Sequence, residues 1–126
     1  MNEELYQKGM AMRRKVLGEA HIAKRQSSDD IYTKRQNELV TEVAWGTIWS
    51  RPQLPLKVRS LVTLGMLAAL NRADETKGHI AGALNNGATP EEIVEVFVQS
   101  AAYCGFPASN TCVRLCVEVF RERGLI

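Results

Sequence analysis

The chain is short of the residues that most often carry redox, metal or secretory chemistry. Three of its 126 residues are cysteines (Cys104, Cys112 and Cys116), an odd count with no CxxC pair. The opening stretch MNEELYQKGM is polar, with no apolar core and no cleavage site of a secretory signal. Together these point to reduced thiols in an intracellular, cytoplasmic protein. Cys112 and Cys116 sit four apart, so they read as small buried hydrophobes on one helix face, not as a metal or redox pair. The longest apolar run, Leu64 to Leu70, is far too short to cross a bilayer. A net charge of +2 excludes neither nucleic acid nor an anionic membrane outright, but argues for no such partner. The short basic clusters Arg13-Arg14-Lys15 and Lys24-Arg25 read as solvated helix faces.

What remains is an ordinary globular composition, 45% hydrophobic and 24% charged, of a length that fits one domain over residues 1–126 with a real core. Nearly all of it has helical periodicity. Residues 3–17 carry Leu5, Met10, Met12, Val16 and Leu17, with Gly18 as the stop. Residues 20–26 are polar and read as an irregular connection. Ser27-Ser28-Asp29-Asp30 is a helix-start signal, opening a helix expected to run to about Trp49. Two prolines, Pro52 and Pro55, break the chain before a helix over residues 56–70 that is apolar almost all round. Such a helix is expected in the middle of a core. A further helix over residues 73–86 is closed by Gly87. Thr89-Pro90-Glu91-Glu92 opens the next with a threonine cap, a proline at the first position and a glutamate at the third. Gly105-Phe106-Pro107 ends it, and residues 107–123 form the last. The expectation is all-α, a single domain of about six helices.

Glu75 and His79 stand four apart in a helical segment, which sets a carboxylate and an imidazole on one face about a turn apart. In a shared cavity such a pair handles a proton; in solvent it is an idle ion pair.

Several segments, in order, resemble the carboxymuconolactone decarboxylase family over nearly the whole chain. They are RKVLGEAHI from Arg14, Trp45-Gly46 with Trp49-Ser50-Arg51-Pro52, Arg59-Ser60-Leu61, Ala69-Leu70-Asn71-Arg72, Glu75 with His79, NGATPEEI from Asn86 to Ile93, and Ala102-Tyr103-Cys104-Gly105-Phe106-Pro107-Ala108. The resemblance implies an alkylhydroperoxidase-D-like helical fold and a homo-oligomer, most often a hexamer. It also implies conversion of 4-carboxymuconolactone to 3-oxoadipate enol-lactone and carbon dioxide in aromatic catabolism, without a cofactor. Two departures stand out. In the thiol branch of the superfamily a CxxC precedes the histidine, with a glutamate upstream. Counted back from His79, those three places hold Arg72, Glu75 and Ser60. Thiol–disulfide chemistry therefore has no reagents there. Where many decarboxylase members have a second histidine, this chain has Gln99, which cannot titrate.

The implied substrate holds its own electron sink, since the ring carbon losing carbon dioxide is conjugated to a lactone carbonyl. The protein must bind a small anion, stabilise the developing oxyanion and deliver a proton to carbon. The resemblance makes His79 the proton donor and Glu75 its orienting neighbour, with His21 as oxyanion donor or alternative acid. Arg51 or Arg59 would clamp a carboxylate; Trp45, Trp49 and Tyr103 would wall the cavity, with Gln99 as a polar contact. Metal ligands are absent from the list of candidates. Two other readings stay open: a peroxidase- or reductase-like relative without paired thiols, and a non-catalytic helical oligomer that binds a small molecule.

Overall fold

The computed structural model describes residues 1–27 and 30–126. Among them are seven α-helices, one π-helix and no strand, so the all-α expectation holds with more elements than the six foreseen. The chain divides into two compact units, Met1–Pro55 and Leu56–Ile126. No helix among the described residues is long and apolar enough to cross a membrane.

The first unit begins with α1 (Glu3–Leu17), whose first turn is capped by Asn2 Oδ1 accepting from Leu5 N–H at 3.1 Å. Gly18, at φ 91°, ends it by returning its N–H to Arg14 O. The chain restarts at once as α2 (Glu19–Ser27), the stretch expected to be irregular. Its signal is faint because it buries only Ile22. After α2 the expected helix-start signal partly lies outside the described residues, at 28 and 29. Asp30 carries the cap: its Oδ1 accepts from Tyr32 N–H at 2.8 Å and from Thr33 N–H at 2.9 Å. Then α3 (Ile31–Val40) runs into a π-helix (Thr41–Trp49) where the sequence had suggested one continuous α-helix.

Close packing accompanies that wider turn. A Cβ at Gly9 would overlap Thr41 O and stand 2.7 Å from Gly46 N, and one at Gly46 would overlap Leu5 O. Here α1 and the π-helix meet backbone to backbone, which only glycine allows. Trp45 and Trp49, both buried, stack with ring centroids 4.8 Å apart and planes at 21°.

The second unit holds α4 (Leu56–Leu70), α5 (Ala73–Asn85), α6 (Pro90–Cys104) and α7 (Phe106–Glu122). Its core is one cluster centred on Leu64, Ile80, Ile93, Phe97 and Cys116, each fully buried. The apolar helix α4 does not sit in the middle of it. One stripe (Ser60, Leu64, Ala68) is buried, while Val58, Val62, Met66 and Leu70 are exposed at 38, 44, 60 and 65%. An all-round apolar helix states how much surface needs cover, not that its own unit supplies it.

Local signals held well here. Gly87 and Gly105 take φ of 91° and 92° at helix ends. The Thr89 cap is a full capping box, Glu92 N–H donating to Thr89 Oγ1 at 3.1 Å and Thr89 N–H to Glu92 Oε1 at 2.9 Å. Asn86 ties the end of α5 to the start of α4, its Nδ2 donating to Ser60 Oγ at 2.9 Å and Leu56 O at 3.4 Å.

Candidate functional site

Within the second unit α5 places Glu75 and His79 one turn apart, as the spacing required. Core positions Thr76, Ile80 and Ala83 set the rotation of the helix, so His79 falls on the flank of the buried face. His79 is half-buried with its Nδ1 out of reach of solvent, whereas Glu75 is exposed. The expectation that both groups are desolvated is therefore met by the imidazole alone. Arg59, on α4, is also half-buried, with a buried Nε.

Gln99 and Tyr103 lie elsewhere in the same unit, one turn apart on α6. Together with Leu61, Gly65, Val96 and Cys104 they line a groove of about 590 Å³ between α4 and α6. Its polar end carries Glu92 and Glu95. Glu92 is bound to Lys57 Nζ at 2.8 Å. That hydrogen bond, with one from Thr89 N–H, holds the Glu92 carboxyl below its ordinary range. Tyr103 is 85% exposed and Gln99 is exposed, so within this unit Tyr103 does not wall an enclosed cavity and Gln99 faces an open groove. With Glu92 neutralised by Lys57 and Glu95 adding a negative charge, this largely apolar lining does not favour a small anion. The second unit thus separates its candidates: His79, Glu75 and Arg59 on α4 and α5, Gln99 and Tyr103 in the groove. The groove was legible only as the repeat Glu92, Val96, Gln99, Tyr103 along α6, a pattern any amphipathic helix shows.

The first unit holds His21, Arg51, Trp45 and Trp49. His21, expected in an irregular stretch, is half-buried on α2 with its Nε2 out of contact with solvent. Arg51 is exposed just past the π-helix. The two tryptophans pack on each other as core.

One polar residue the sequence misassigned is Arg13, read as part of a solvated cluster. Arg14 and Lys15 are exposed, but Arg13 is only 6% exposed. Its Nη1 donates to Asn37 Oδ1 at 2.6 Å and to Thr41 Oγ1 at 3.0 Å. Successive helical residues turn by about 100°, so three in a row cannot share one face. Burial holds the Arg13 guanidinium below its ordinary range, nearby Arg25 lowers it further, and Tyr6 opposes both.

Two of the three thiols are poor nucleophiles. Cys112 and Cys116 are buried, and burial raises both, Cys116 to about 12. Cys104 is half-buried at the groove. No group of three or more His, Cys, Asp or Glu residues that could hold a metal ion occurs among the described residues.

Comparison with known proteins fixes the family: the sequence profile of the carboxymuconolactone decarboxylase family matches residues 37–118, and the chain belongs to that family. It is 37% identical over 124 residues to 4-carboxymuconolactone decarboxylase of Acinetobacter baylyi, covering 98% of this chain and 92% of that protein. It is 39% identical over 108 residues to nitrosuccinic acid decarboxylase of Metarhizium robertsii, covering 86% of this chain and 76% of that one.

Proposed function

We propose that this chain is a carboxy-lyase acting on a small carboxylated lactone. The reaction is 4-carboxymuconolactone to 3-oxoadipate enol-lactone and carbon dioxide, as a step in aromatic catabolism. The likeness to a decarboxylase of that substrate over 98% of the chain carries the reading. The second relative supports the reaction type, since both named acids hold a carboxylate next to an electron sink, a conjugated lactone carbonyl in one and a nitro group in the other.

In the lactone the bond from ring carbon to carboxylate carbon breaks and carbon dioxide leaves neutral. The electron pair moves through the ring double bond onto the carbonyl oxygen, and a proton added to the carbon beside that carbonyl gives the enol-lactone. His79 is the proton donor: an imidazole with one ring nitrogen held out of solvent, its proton replenished from water. Glu75 lies one turn earlier on the same helix, as the neighbour that orients it. Arg59 is the cation of the second unit for the carboxylate that remains on the product. In the first unit His21 is the alternative acid, and Arg51 and Trp45 are the alternative anion clamp and apolar wall. The exposed α4 stripe, with Tyr103 and Phe106 exposed at 85 and 70%, supports assembly with copies of the same chain, the hexamer implied by the resemblance.

Carbon dioxide release from 4-carboxymuconolactone tests the substrate; a rate no higher than in buffer rejects it. With turnover in hand, His79→Ala is expected to lower kcat by about 100-fold or more, and His21→Ala by far less. The reverse order would move the proton donor to the first unit. Light scattering in solution checks assembly, and a monomer would exclude it.

A further inference from the structure

Among the described residues Arg13 is a buried charge without a countercharge. It is 94% buried by its 6% exposure, and no carboxylate pairs with it among the described residues. Both of its hydrogen bonds leave from Nη1 and end on neutral oxygens, Asn37 Oδ1 and Thr41 Oγ1. Its Nε is buried with no hydrogen-bond partner. Guanidinium cannot shed its proton at any working pH, so the usual escape of a buried titratable group is closed. Leaving such a charge uncompensated is costly, and a staple between α1 and the π-helix would be made as well by a neutral donor. The edge carrying Nε and Nη2 has the fork geometry that binds the two oxygens of a carboxylate side by side.

We propose that the Nε–Nη2 edge of Arg13 is a binding site for a small organic carboxylate, closed over by α2. The second cation of the site is Arg25, on α2, close enough to disfavour the charge on Arg13. An anion between the two turns that repulsion into shared attraction. Helix α2 is a light cover, since it buries only Ile22, and it can shift to admit a ligand to the buried Nε. Tyr6, on the Arg13 helix, is the neighbouring phenol. The ligand is either the carboxylate that the proposed substrate retains, with His21 of the same unit as the acid, or a separate small acid; both present the same fork. Only the first source rests on the lactone reading.

The test is a titration of the full chain with succinate, an inert dicarboxylate, against sodium chloride at equal ionic strength. The Nε–Hε signal of Arg13 is followed by NMR and assigned through its connection to the Arg13 backbone. Succinate should shift it saturably where chloride does not, and should slow amide exchange along α2. Arg13→Lys, which keeps the charge but loses the fork, should weaken binding roughly 10- to 100-fold. An Arg13 signal that ignores succinate overturns the proposal, even if no variant folds. So does an Arg13→Lys protein that binds succinate as well as the original. Inhibition of lactone turnover by succinate that is competitive, with KM and not kcat raised in Arg13→Lys, assigns the site to the substrate. Succinate binding without competition assigns it to a separate acid.

Discussion

Replacing Gly9 by alanine tests the backbone crossing on which the first unit is built. The new Cβ would overlap Thr41 O and lie 2.7 Å from Gly46 N, both backbone atoms of the π-helix. Neither can turn aside as a side-chain end would, so α1 must move away from the π-helix. Overpacking against flexible neighbours costs about 1–3 kcal/mol, and a backbone clash belongs at or above the top of that range. A shift of α1 also pulls Arg13 from Asn37 and Thr41, since it lies one turn along the same helix. At about 4 °C per kcal/mol for a chain of this size, the melting midpoint should fall by about 10 °C or more. Gly78→Ala is the internal control: nothing lies within 4 Å of its Cβ position on α5, so alanine should raise the midpoint by a few degrees. Circular dichroism melts read both, and the near-ultraviolet signal of the stacked Trp45 and Trp49 should weaken only in Gly9→Ala. A Gly9→Ala protein melting within about two degrees of the original would refute the close crossing.

Thiol accessibility gives a second check. A soluble maleimide at pH 8 should label Cys104 first and Cys116 last, because burial pushes Cys116 up to about 12 and leaves almost no thiolate; rapid labelling of Cys116 in folded protein would contradict the packing of α7. Acid stability gives a third. The Glu92 carboxyl titrates below its ordinary 4.5 in the folded chain, so its contribution is complete above that value and is lost as pH falls through the lowered one. Lys57→Met should make stability fall less steeply with acid in that window, as followed by urea unfolding at several pH values; an unchanged slope would show that the ion pair is not formed in solution.

How much of this was legible in the sequence depended on the range of the interaction. Thr89, Glu92, Gly18, Gly87 and Gly105 announced themselves because a cap or a positive φ is decided within a few residues. The π-helix was not legible. Its Trp45 and Trp49 keep the i, i+4 relation of an α-helix, and the added residue per turn is bound up with Gly9, Gly46 and Arg13, which act from across the unit or along its own widened turn. Helix α2 was missed because one buried isoleucine leaves no periodicity to read. Arg13 was missed for the opposite reason: a basic triplet looks solvated until the helix phase shows that one member must turn inward.

The charges also constrain how such a chain can decarboxylate. The departing carboxylate starts charged and ends as neutral carbon dioxide, so a strong cation held against it would stabilise the ground state more than the transition state. Cations belong instead beside the carboxylate that stays and beside the sink oxygen that becomes negative. A half-buried imidazole meets the second need and can give up its proton when carbon becomes basic. In the proposed reading the half-buried guanidinium of Arg59, in the same unit, meets the first, since its attraction is the same before and after the bond breaks. On this reasoning Arg59→Lys should act on KM while His79→Ala acts on kcat, and a single variant that moved both equally would show that the same cation touches the group that leaves.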